Sequence, residues 1–113
     1  MHEMALAESL LGIVVDAARA HDARSVTAVR LELGVLSHVE PQAMRQCFDI
    51  VKRASVADDA RLEIHTVSGE AWCMPCAKRV PLQQRGAACP ECGSYQLQVA
   101  RGQEMRVMDI EIA

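Results

Sequence analysis

The sequence predicts an α+β protein: a three-stranded mixed sheet with two helices on one face, plus an inserted four-cysteine zinc ribbon. Three observations predict it. Two segments repeat apolar residues at helical spacing, three others alternate apolar with polar, and four of the five cysteines fall in one stretch between the last two alternating segments.

The first helical segment covers about residues 4–20, with Met4, Ala7, Leu10, Leu11, Val14 and Ala18 on one side and Glu8, Asp16 and Arg19 elsewhere. A connection through His21, Asp22, Ala23, Arg24 and Ser25 leads to VTAVRLELG. There Val29, Leu31 and Leu33 point one way and Arg30 and Glu32 the other, which is a strand with one wet face. Gly34 to Glu40 read as a loop. Pro41 suits the first turn of a second helix over about 41–54, whose stripe is Met44, Cys47, Phe48 and Val51. RLEIHTV alternates as the second strand. EMRVMDIEI is the third, with Met108, Ile110 and Ile112 on one face. Because the ends of a ribbon lie close together, the strands at 61–67 and 104–112 are expected to be antiparallel neighbours.

Residues 69–102 differ in character. They hold Cys73, Cys76, Cys89 and Cys92, Pro75, Pro81 and Pro90, and four glycines, and carry a net charge of +2 against −5 for the remainder. The expected organisation is therefore a discontinuous α/β domain, 1–68 and 103–113, with an inserted ribbon at 69–102. A chain this short buries only about two-thirds of its unfolded surface, so a metal staple would help it.

The two cysteine pairs, CMPC and CPECG, are twelve residues apart. Two CxxC knuckles at this distance fit one tetrahedral ion held by four sulfurs. A two-residue gap points both sulfurs of a pair at the same ion, and Gly93 can adopt the positive φ that closes its turn. Four sulfurs leave no open position, so the site is structural. Ribbons of this kind favour zinc, and all-sulfur ligation by itself is also compatible with iron. The competing reading is two disulfides, which a reducing compartment disfavours. Cys47, on a helical apolar stripe, reads as a small core residue.

The N-terminal MHE has its own chemistry. The amide nitrogen and Nδ1 of His2 would close one chelate ring and the Met1 α-amine another, with Glu3 beside them. Nickel(II) and copper(II) take such planar nitrogen sets. The alternative is a solvated histidine and a glutamate complementing a helix N-terminus. His38 lies in the following loop beside Glu40, His21 reads as a cation at a helix C-terminus, and His65 lies on the wet face of its strand.

Composition excludes several classes. The net charge is −3 and Phe48, Trp72 and Tyr95 are the only aromatics, which argues against nucleic-acid binding. No apolar run reaches membrane-spanning length. No signal-peptide pattern opens the chain, so a cytoplasmic location is expected. There is no nucleophile–base pair, phosphate loop or open metal site, so no enzyme is expected.

Taken together, the MHE start, the strand ending in LG, the pattern xVEPxxMxxCFxxV, the CxxC–x12–CPxCG insertion and the final GxEMRVxxIEI resemble the HypA/HybF family of hydrogenase-maturation nickel chaperones. The resemblance runs from Met1 to Ile112. It implies nickel(II) bound through His2 with Glu3 nearby and an acidic residue before the second helix, at the place of Glu40. It implies a structural zinc(II) on Cys73, Cys76, Cys89 and Cys92. It also implies a HypB-type GTPase as partner and delivery to the large subunit of NiFe hydrogenase, with some relatives serving urease. The chain itself is expected to be a monomer or a homodimer. The first knuckle departs from the family form, with Ala77 where the second has Gly93. The other reading is a zinc-ribbon module for protein or nucleic-acid interaction, with MHE incidental.

Overall fold

The structure is a computed structural model that describes residues 2–113. The element order is α1 (His2–Ala20), β1 (Val26–Gly34), α2 (Pro41–Val51), β2 (Arg61–Val67), β3 (Glu70–Cys73), β4 (Lys78–Pro81), β5 (Leu97–Arg101) and β6 (Met105–Ile112). Two three-stranded sheets result, ordered β2-β1-β6 and β4-β3-β5. The chain divides into two units, 1–31 with 39–65 and 106–113, and 32–38 with 66–105.

In the first unit, α1 buries Ala7, Leu10, Val14 and Ala18 of the predicted stripe, with Met4 and Leu11 half-buried, and packs on α2. It starts two residues earlier than expected, so His2 and Glu3 belong to its first turn. Its end is closed by Asp22 in the left-handed region (φ 52°), by the Ala23 N–H on the Ala18 carbonyl at 2.9 Å, and by His21 Nδ1 3.0 Å from the Ala17 carbonyl oxygen. α2 buries Met44, Cys47 and Phe48. The fully buried Phe48 ring alone contributes about 2–3 kcal/mol of apolar burial. This helix ends at Val51 rather than near 54. The Lys52 N–H closes on the Phe48 carbonyl, and Ala54 takes a left-handed φ of 61°, which the helix cannot continue through.

The strand directions follow from backbone bonds. Val26 donates to Val56 and Val35 to Val67, so β1 and β2 run parallel, joined by α2 as a crossover. Arg24 pairs with Ala113, and Gly34 with Glu104, so β1 and β6 are antiparallel. The sheet is mixed, as predicted, but the expected adjacency of β2 and β6 is wrong: β1 lies between them. The ribbon's ends do converge, since a Cβ on Gly102 would lie 2.7 Å from the Gly69 Cα. They converge past Gly34, where β1 has already ended, so close ends do not require paired strands.

The edge position of β6 has a second consequence. Met108 and Ile112, expected on a buried apolar face, are each 41% exposed. On the opposite face Arg30 of β1 is held by Asp109 at 2.6 Å, by Glu111, and by Glu63 of β2 at 3.4 Å, one cation serving three carboxylates. Its pKa is raised, chiefly by hydrogen bonds to Asp109 and Glu111.

The second unit is built on β3, which pairs antiparallel with β4 and β5. Its core combines Leu36, Ala71 and Leu82 with Ala87, Leu97 and Val99. The loop after β1 is bound into it: Arg85 Nε donates to the Leu36 carbonyl at 3.0 Å, and Leu36 N–H donates to the Gly102 carbonyl at 2.7 Å.

Candidate metal centre

The first knuckle occupies the turn between β3 and β4, because β3 ends on Cys73 and β4 begins at Lys78. The second, Cys89 to Cys92, lies in the turn before β5. Each closes in the same way. The Ala77 N–H donates to the Cys73 carbonyl at 2.8 Å, and the Gly93 N–H to the Cys89 carbonyl at 2.9 Å. The Glu91 N–H points at Cys89 Sγ from 3.4 Å, the amide-to-sulfur contact that favours a thiolate.

The four Sγ atoms all lie within 4.8 Å of one another, with Cys73–Cys92 at 3.6 Å and Cys76–Cys89 at 4.0 Å. An ion bonded to four sulfurs at about 2.3 Å requires tetrahedron edges of about 3.8 Å. The sulfur cage therefore already has the size that zinc needs, and its spacings are far beyond a disulfide bond of about 2 Å. All five cysteines are free thiols. Cys73, Val80 and Cys89 are buried together, with Cys76 and Leu97 against them, so the cage has a dry side, while Cys92 faces solvent.

The thiols affect one another's protonation. Cys76 is pushed up to about 12, first by its contacts with Cys92 and Cys73 and then by burial. Burial opposes ionisation of Cys89 as well, but the backbone N–H groups of Cys92 and Glu91 overcome it and lower this thiol to about 7. Cys89 is thus the readier of these two sulfurs to ionise, and Cys76 the more reluctant. Lys78 Nζ, next to the first knuckle, meets Glu91 Oε1 of the second at 2.6 Å. This exposed ion pair spans the two knuckles. Sequence reading missed it, although its signal was a lysine just after one knuckle and a glutamate inside the other.

The N-terminal candidates are placed differently. His2 opens α1 and is exposed; Glu3 follows, partly covered. Glu40 is the N-cap of α2, its Oε2 accepting from the Ala43 N–H at 2.8 Å. The Met1 amine lies outside the described residues. Among the described residues, the four cysteines are the one group of three or more ligand side chains that converges. His2, Glu3 and Glu40 do not form such a group. His38 is exposed, with a left-handed φ of 63°. Cys47 is a buried core thiol, as its stripe predicted.

Known proteins resemble this chain over its whole length. It is 56% identical to the hydrogenase maturation factor HypA of Rhodopseudomonas palustris (strain BisB5), over 112 residues and 99% of both chains. The same identity and coverage hold for the hydrogenase maturation factor HypA of Albidiferax ferrireducens. Among solved structures, the solution structure of the nickel metallochaperone HypA from Helicobacter pylori matches with a TM-score of 0.71, at 24% identity, covering 99% of this chain and 97% of that one. A second solution structure of a HypA protein matches with a TM-score of 0.73, also at 24% identity, covering 100% of this chain and 97% of that one. At that identity the two structures speak for the fold alone. Residues 1–112 match the family profile described as hydrogenase/urease nickel incorporation, metallochaperone, hypA, and the chain belongs to that family.

Proposed function

We propose that this protein binds nickel(II) through His2 and delivers it to the large subunit of NiFe hydrogenase, with urease as the second candidate recipient. The observation that carries this reading is the full-length family match together with the position of His2 as the first described residue of α1, exposed. The first four N–H groups of a helix have no partner within it. The His2 amide can therefore lose its proton to a metal without breaking the helix. The positive end of the helix dipole favours the anionic amide that results, although it would repel a bare cation. The amide and imidazole nitrogens of His2 then chelate the cargo together. Glu3 supplies a carboxylate beside them, and the Met1 amine is a third nitrogen where it is free. Glu40 can contribute Oε1 while Oε2 keeps the α2 cap.

The ribbon cysteines Cys73, Cys76, Cys89 and Cys92 hold zinc(II), whose role is to join the two knuckles. The nickel-binding domain is residues 1–68 and 103–113, and the ribbon is 69–102. The protein is a non-catalytic, cytoplasmic carrier, and any GTP hydrolysis comes from a HypB-type partner. No helix of the described chain is long and apolar enough to cross a membrane.

The test is nickel titration of untagged, zinc-loaded protein, with His2→Ala and His2→Gln beside it. Both variants should keep the fold and one zinc per chain but lose nickel. Equal nickel stoichiometry and affinity in His2→Ala would refute the N-terminal site.

A further inference from the structure

The β4-β3-β5 sheet sends Ala71 and Cys73 into its core, together with Val80, Leu97 and Val99. Its other face has a different composition. Trp72, the chain's one tryptophan, stands on the central strand and is 40% exposed. Arg79 on β4 and Gln98 on β5 are its cross-strand partners. In the next row Glu70 lies between Pro81 and Arg101. The Glu70 carboxylate is approached by Arg79 at 3.2 Å and by Arg101 at 4.0 Å, the two arginine side chains being 61% and 53% exposed. Two guanidinium groups thus share one carboxylate. Beside them is a shallow depression of about 250 Å³, lined by Glu70, Arg79, Val80 and Pro81.

This arrangement is poorly explained by folding alone. Ala71, Cys73 and Val80 are buried on the inner face without Trp72, which stands on the outer face and leaves 40% of its surface in water. Tryptophan and arginine are the residues that most often carry the binding energy of protein interfaces. Exposed ion pairs contribute little, so both arginines can turn from Glu70 to incoming carboxylates at small cost. We infer that this face docks a partner's acidic segment that also carries apolar side chains, with the apolar groups against Trp72 and Pro81 and the carboxylates on Arg79 and Arg101. Nucleic acid fits less well. Tyr95 lines a separate depression with Leu97 and Val99, residues of the inner face, so Trp72 is the single ring available for stacking here. The inference stands apart from the nickel reading, since none of these residues belongs to the N-terminal site.

Trp72 is its own reporter. Zinc-loaded protein is titrated with a short glutamate-rich peptide carrying leucines, with its lysine counterpart and with oligothymidylate, while tryptophan emission is followed. The acidic peptide should move the emission to shorter wavelength and saturate. Arg79→Glu and Arg101→Glu, checked for unchanged zinc content, should each weaken binding about tenfold. Trp72→Ala, followed by calorimetry, should weaken it at least as much. The proposal is overturned if the acidic peptide gives no saturable shift, if the lysine peptide or the oligothymidylate binds as well or better, or if the charge reversals leave the affinity unchanged.

Discussion

Ala77 and Gly93 hold equivalent places in the two cysteine knuckles: both are left-handed, at φ 51° and 76°, and both donate their N–H to the carbonyl of the first cysteine of the pair. Glycine is at ease there. An alanine in that region is strained by about 1–2 kcal/mol. Ala77→Gly should therefore stabilise the ribbon by up to about 1 kcal/mol, after the greater freedom of glycine in the unfolded chain is deducted. Gly93→Ala should do the reverse, through backbone strain alone, because nothing lies within 4 Å of an added Cβ. Zinc retention against a competing chelator should rank Ala77→Gly first, the parent second and Gly93→Ala last.

The cysteines divide the chain's stability. Cys89→Ser or Cys92→Ser leaves an incomplete cage, and the binding energy of the zinc proposed there would be much of what folds so small a ribbon. Amide exchange should show residues 69–102 losing protection. The helices α1 and α2 keep theirs, because their buried faces do not depend on the cage. Equal loss of protection throughout the chain would contradict this.

Two glycines should respond oppositely to alanine. A Cβ on Gly34 would sit 2.0 Å from the Gly102 carbonyl oxygen, a backbone atom that cannot swing away. Gly34→Ala should cost several kcal/mol, at the upper end of single-substitution effects. Gly12, inside α1, has nothing within 4 Å. Gly12→Ala should raise stability by about 1 kcal/mol through helix propensity. Denaturant midpoints measure both.

Acid should loosen the turn before β6. The Glu104 carboxylate is held below its ordinary range chiefly by its own N–H, with the Gly102 N–H donating to it at 2.7 Å. A carboxylate with a depressed folded pKa stabilises fully above its unfolded value. That contribution is lost as pH falls through the depressed value, so the loss lies at and below the ordinary carboxylate range. Glu104→Gln should be less stable than the parent at neutral pH, and the gap should narrow on acidification. A pH-independent gap in urea midpoints would assign the effect to packing.

Much was legible in the sequence because the signals are local. The stripes of α1 and α2 follow from helical spacing, and the bounds of β1 and β2 from alternation. The cysteine cage follows from two CxxC knuckles, each of which aims its sulfurs through its own turn. His21 at a helix end and Cys47 in the core are likewise determined within a few residues. The strand order is another matter. Alternation shows that a segment is a strand but not which strand lies beside it, and only the parallel crossover through α2 puts β1 in the centre and leaves β6, with Met108 and Ile112, at the edge. The same holds for Arg30 meeting Glu63, Asp109 and Glu111, and for Lys78 meeting Glu91. Each joins residues from separate turns or strands. Such contacts depend on chain-wide packing and strand register, which spacing along the sequence does not encode, and so the tertiary structure alone decided them.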